Sequence, residues 1–125
     1  MFLKKKLYLC FLKVKDIELM PNFKYEVFLP KSKEQLESFI YRISKKNPVK
    51  HYIIRIFPEY IERENFLKVL ENFQDQIKQF KKNKSLVFWT TEDEENLPSY
   101  ISIAPTEEEA LDIIDFEEIE RDLLS

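Results

Sequence analysis

The sequence contains no glycine. At an average usage of roughly 7%, a chain of this length would carry about nine. Loops that need a backbone without a side chain are thereby excluded, among them the phosphate-cradling P-loop, the dinucleotide fingerprint, the nucleophile elbow and the EF-hand turn. Cysteine and histidine are almost as scarce. Cys10 stands alone, so no internal disulfide can form, and His51 is the one histidine, so no Cys/His set can supply three or four zinc ligands. Long hydrophobic runs are missing too. Lys4-Lys5-Lys6 followed by Leu7 to Leu12 begins like a signal peptide, but the run stops at Lys13 and no small-residue cleavage site follows. Bulky Leu9 before Cys10 also speaks against a lipoprotein signal. No segment approaches the roughly 20 apolar residues of a membrane span. The expectation is a cytoplasmic protein with no membrane partner.

What is present is that of a soluble globular domain: 125 residues, 44% hydrophobic and 34% charged, with a net charge of -3. The charge is segregated. Residues 1–50 carry 12 basic and 5 acidic groups, residues 51–91 carry 7 and 5, and residues 92–125 carry 1 and 13. The basic front does not point to nucleic acid, because its aromatics fall mostly in predicted strands and the acidic last third would repel phosphate.

Patterning places the elements. Leu7 to Val14 is an apolar run rich in β-formers, and Phe23, Tyr25, Val27 and Leu29 alternate at period two. Met20-Pro21-Asn22 between them supplies turn chemistry, so the two runs read as an initial hairpin. Ser32-Lys33-Glu34-Gln35 is a capping box opening a helix through Leu36, Phe39, Ile40 and Ile43, which Pro48 stops. Tyr52 to Phe57 reads as a buried strand with Arg55 as its odd polar member. Phe66, Leu70, Phe73, Ile77 and Phe80 mark one stripe of a helix over about 62–81. Leu86 to Thr90 reads as a further strand, with Phe88 and Trp89 on opposite faces, and Ile101 to Ile103 as a short additional one. Thr106-Glu107-Glu108-Glu109 opens the last helix, whose stripe shifts from Ala110, Ile113 and Ile114 to Phe116, Ile119 and Leu123. The helix is expected to bend near Asp115 or to leave its end exposed. The order ββαβαβ(β)α predicts one α/β domain over residues 1–125, with a mixed four- to five-stranded sheet, three main helices and an acidic helix end at 115–125.

Two stretches resemble a known family. Ile53-Ile54-Arg55-Ile56-Phe57-Pro58-Glu59-Tyr60-Ile61-Glu62-Arg63-Glu64-Asn65-Phe66-Leu67-Lys68-Val69-Leu70 is similar, without a gap, to the strand-loop-helix segment of the STAS domain, the sulfate transporter and anti-sigma factor antagonist family. Ile103-Ala104-Pro105-Thr106-Glu107-Glu108-Glu109-Ala110-Leu111 resembles that family's entry to its last helix, and Glu117-Glu118-Ile119-Glu120-Arg121-Asp122-Leu123 the acidic tail of some bacterial stand-alone members. The resemblance implies a STAS-like fold and regulation of another protein by binding, the partner being an anti-sigma factor or a partner-switching kinase. It also implies that the loop before the second long helix, with residues Glu62, Arg63, Glu64, Asn65 and Phe66, meets the partner. Kinase-switched members typically read Asp-Ser-Ser-Gly there. The matching positions here are Arg63, Glu64, Asn65 and Phe66, and no serine or threonine occurs from Lys45 to Lys84, so no serine switch operates in this loop. Phe66 must either turn into the core or stand on the partner-facing surface. Glu64, near a helix start, imitates a phosphate only in part.

Other candidates have ordinary structural readings. Arg55 either recognises an anion or, as is more usual for such a residue, snorkels or pairs with Glu59 or Glu26. His51 reads as a strand-edge residue and Cys10 as a buried hydrophobe. Tyr52, Tyr60 and Tyr100 read as boundary aromatics. Glu92 to Glu95 and Glu107 to Glu109 read as solvated faces, since adjacent carboxylates rarely converge on a cation without a glycine turn. No nucleophile or acid/base pair can be named, so the chain reads as a non-enzymatic binding module without metal or cofactor. The alternative is a self-associating structural or scaffold subunit in which the acidic tail of one copy meets the basic front of another.

Overall fold

The computed structural model describes residues 25–45, 48–91 and 97–124. Along them run β1 (Tyr25–Phe28), α1 (Lys33–Ser44), β2 (His51–Arg55), α2 (Arg63–Asn72), α3 (Gln74–Phe80), β3 (Leu86–Trp89), β4 (Ser102–Ala104) and α4 (Glu107–Leu124). Local chemistry sets the helix starts. Ser32 Oγ accepts from the Gln35 amide at 3.1 Å, while Gln35 Oε1 reaches back to the Lys31 amide at 2.8 Å. Thr106 Oγ1 accepts from the Glu109 amide at 3.1 Å, and Glu107, Glu108 and Glu109 fill the first turn, where the helix dipole favours carboxylates.

The described strands form one four-stranded parallel sheet in the order β1-β2-β3-β4. Parallel neighbours need crossovers, which α1 and the α2-α3 pair supply for the first three strands. Residues at the same level share a face: Phe28, Ile54, Phe88 and Ile103 pair across the sheet on one side, and Val27, Ile53, Val87 and Ser102 on the other. The first face meets Leu36, Phe39 and Ile40 of α1, Phe66, Val69 and Leu70 of α2, and Ile77 and Phe80 of α3 in the main core. The second face is covered by Ala110 and Ile114 of α4, which pack on Ile53, Val87 and Ala104.

Two expectations need amendment. The described strands are all parallel, so the sheet is not mixed within them; the run Leu7 to Val14, its hairpin turn and Cys10 lie outside the described residues. The stripe over 62–81 is two helices, not one, because Phe73 departs from helical geometry at φ -111° and ψ 24°. The described residues thus hold four helices. The spacing survives the break, since Phe73 N–H still donates to the Val69 carbonyl and its own carbonyl accepts from Ile77 N–H. Of the two alternatives for the last helix the second is found: α4 continues to Leu124 and leaves Phe116, Ile119 and Leu123 exposed. Among the described residues, no helix is long and apolar enough to cross a membrane.

Candidate functional site

The carboxyl ends of the strands carry the residues singled out by the resemblance. After β2 the chain turns at Phe57, whose carbonyl accepts from the amides of Tyr60 and Ile61, and enters α2 through Glu62. Glu62 caps with its backbone alone: its carbonyl accepts from Phe66 N–H at 2.9 Å, and its side chain makes no capping bond. The side chain therefore remains available to solvent. Glu62 and Glu64 are exposed and Arg63 and Asn65 half-buried. Phe66 departs from the set. It is fully buried and meets Phe88 edge-on, with ring centroids 5.3 Å apart, so it belongs to the core and not to a partner-facing surface.

Beside this loop lies a stacked row of rings and cations that patterning alone did not reveal. Lys31 Nζ sits 5.8 Å from the Tyr60 ring centre, Tyr60 meets Phe57 edge-on at 6.1 Å, and the Arg55 guanidinium lies between Phe57 and Trp89 at 4.2 and 4.3 Å. Trp89 Nε1 then donates to the Pro105 carbonyl at 3.1 Å. The row thus joins the segments that follow β1, β2 and β4 to the ends of β2 and β3. The expected ion pair of Arg55 is replaced by these rings, while Glu26 faces Lys50 Nζ at 3.6 Å. Stacking leaves the planar N–H edge of a guanidinium open for hydrogen bonding. Phe88 points into the main core and Trp89 to the opposite face, as expected.

A second polar grouping lies at the amino ends of the strands, where the last half of α4 crosses them. His51 is buried, not an edge residue: Ser85 N–H donates to its Nδ1 at 2.8 Å and its Nε2 faces Glu118 Oε2 at 2.8 Å. These partners fix the Nε2–H tautomer. Ser85 Oγ donates to Glu117 Oε1 at 2.6 Å, and Ser102 Oγ to Glu117 Oε2 at 2.8 Å. Lys81 Nζ donates to Ser102 Oγ at 2.8 Å and to the Tyr100 carbonyl at 2.7 Å, and Arg121 Nη2 donates to Ser85 Oγ at 3.1 Å. Burial pulls the Lys81 ammonium below its ordinary pKa, opposed by Glu117 and reinforced by Arg121.

Ser, His and Glu are the residue types of a nucleophile, base and orienting acid, but this geometry is not that of a triad. The imidazole bonds the Ser85 backbone and not its hydroxyl, which is buried and committed to Glu117. The grouping instead fastens α4 to three strands. Its members are far apart in sequence, so no local pattern announces it.

The remaining candidates are dispersed. Glu92 to Glu95 lie outside the described residues, and among the described residues no three His, Cys, Asp or Glu side chains gather as metal ligands. Glu107 accepts from Tyr25 Oη at 3.2 Å. Tyr52 packs against Phe39 and Phe80, and Tyr100 Oη donates to the Leu70 carbonyl at 2.9 Å. Comparison with protein-family models, with curated proteins and with solved structures finds no match.

Proposed function

We propose that this chain is a cytoplasmic, non-enzymatic regulatory module of STAS-like kind that binds another protein through the carboxyl edge of its sheet. The supporting observation is the row of Lys31, Tyr60, Phe57, Arg55 and Trp89, exposed at Lys31 and Tyr60 and half-buried at the other three, which continues in sequence into Glu62, Arg63, Glu64 and Asn65. Arg, Tyr, Trp and Phe are the residue types enriched at the centres of protein interfaces. Here they stand on strand ends and a short turn and already pack against one another, an arrangement that lowers the side-chain entropy lost when a partner covers them.

In this reading the partner is a regulatory protein such as an anti-sigma factor or a partner-switching kinase. Without a serine in the loop, binding is not released by phosphorylation there. Glu62 and Glu64 provide fixed negative charge at the start of α2 in its place.

Capture from the native lysate tests the proposal, with the tagged full chain compared against a Tyr60→Ala, Glu62→Arg, Glu64→Arg variant. A regulatory protein recovered with the first bait and lost with the second is the expected result. Identical partners with both baits would contradict the carboxyl-edge assignment.

A further inference from the structure

Arg55 is a half-buried cation whose hydrogen-bonding edge is unused. It is the last residue of β2, a strand with a neighbour on each side, and its guanidinium lies between the rings of Phe57 and Trp89 at 4.2 and 4.3 Å. No hydrogen bond or ion pair joins that guanidinium to any of the described residues. Ring faces return part of the hydration lost on burial, but the five in-plane N–H donors are satisfied only by acceptor atoms. At the other end of the row Lys31 Nζ faces the Tyr60 ring at 5.8 Å and pairs with no carboxylate of the described residues. Carboxylates of the chain's own are near in sequence. Glu59 is exposed four positions after Arg55, and Glu26 already faces Lys50 Nζ at 3.6 Å. In a chain of net charge -3, both cations of this row are thus left to an anion from outside.

The surroundings of the row select the anion. Glu59, Glu62 and Glu64 stand exposed in the segment that follows β2. A phosphate monoester carries between about 1.5 and 2 charges, so these carboxylates repel it nearly twice as strongly as they repel a carboxylate. Rings beside cations also form a stacking platform for single-stranded nucleic acid, but its backbone phosphates meet the same repulsion. A carboxylate carries one charge and presents two oxygens in one plane, which the guanidinium fork matches with two parallel hydrogen bonds. Phe57 and Tyr60 next to the fork offer ring surface to whatever flanks that carboxylate. We infer, resting on the carboxyl-edge reading, that Arg55 takes an aspartate or glutamate side chain of the bound protein, flanked there by apolar residues that lie on Phe57 and Tyr60.

The test titrates the full chain with the peptide acetyl-Leu-Glu-Leu-amide and with its glutamine and phosphoserine counterparts. NMR follows the Arg55 side-chain N–H and the indole N–H of Trp89, the sole tryptophan. The glutamate peptide should shift both signals saturably, and the glutamine peptide should bind at least about tenfold more weakly. Arg55→Gln, read at the Trp89 indole, should weaken the glutamate peptide by at least about tenfold as well. Circular dichroism shows whether that variant is folded, and the glutamate and glutamine peptides decide on the unmodified chain without it. Acetate, which lacks the apolar flanks, should bind at least about tenfold more weakly than the glutamate peptide.

No shift with the glutamate peptide at about 10 mM would overturn the inference. So would equal binding of the glutamine peptide, or equal binding by a folded Arg55→Gln variant. Tighter binding of the phosphoserine peptide would assign the stack to a phosphate, tighter binding of a short oligothymidylate to nucleic acid, and equal binding of acetate to a small free carboxylate. Each of these overturns the assignment to a carboxylate side chain of a protein. The titration needs no captured partner, so it can fail while capture from the lysate still supports the carboxyl edge, and the two failures are told apart.

Discussion

Glu118 Oε2 lies 2.8 Å from His51 Nε2, joining the last half of α4 to the first residue of β2 across 67 positions of sequence. The imidazole is buried and its other nitrogen accepts from Ser85 N–H, so one side chain holds both a helix and the start of the neighbouring strand. Removing it strands a buried amide and opens a cavity. His51→Ala should therefore lower unfolding free energy by about 2–4 kcal/mol. Glu118→Ala, at a partly exposed carboxylate, should cost only about 1 kcal/mol. Urea denaturation of the two variants measures both, and equal small losses would contradict a structural role for His51.

Phe66 and Glu64 are neighbours in the proposed binding loop with opposite burdens. Phe66→Ala removes a fully buried ring packed on Phe88 and should cost about 3–5 kcal/mol. Glu64→Arg should cost only about 1 kcal/mol, because the side chain is exposed and loses no more than its favourable place in the first turn of α2. Thermal melts compare the two, and a Phe66→Ala protein as stable as the wild type would place that ring outside the core.

Arg55 covers one face of the sole tryptophan, Trp89, at 4.3 Å. Arg55→Ala should shift Trp89 emission to longer wavelength and increase its quenching by iodide, since water replaces the guanidinium on the ring. Unchanged emission and quenching would show that the stack does not persist in solution.

Burial raises the Tyr25 phenol above its ordinary pKa of 10.0, and Glu107 adds to the effect through its charge and its hydrogen bond. Above about pH 10 the unfolded phenol loses its proton first, so the folded chain binds more protons and stability falls as pH rises through that window. Lys81 acts in the other direction below 10.5, because its lowered folded-state pKa leaves the unfolded chain holding the extra proton. Comparing wild type with Tyr25→Phe cancels the lysine. The variant should lose less stability between about pH 9 and pH 11 in urea titrations, and parallel curves would contradict the assignment.

The sequence made legible what is local. The capping boxes at Ser32 and Thr106, the stripe from Phe66 to Phe80 and the opposed faces of Phe88 and Trp89 all depend on residues within a few positions of one another. The break at Phe73 was hidden because the helical spacing passes through it unchanged. Arg55 and His51 were misread for a different reason. Each is an isolated polar residue in an apolar strand: Arg55 meets Trp89 of β3 as well as the nearby Phe57, and His51 meets Ser85 and Glu118, so Trp89, Ser85 and Glu118 lie at separations that no periodicity encodes. Of the loop residues, Phe66 was legible as a choice between core and surface, and the helical stripe to which it belongs decides for the core.

The most direct measurement of the carboxyl-edge claim is hydrogen exchange on the full chain, free and bound to a partner recovered with it. The account predicts slowed exchange over residues 56–65 in the complex. Protection confined to other segments, with 56–65 exchanging as in the free protein, would contradict it.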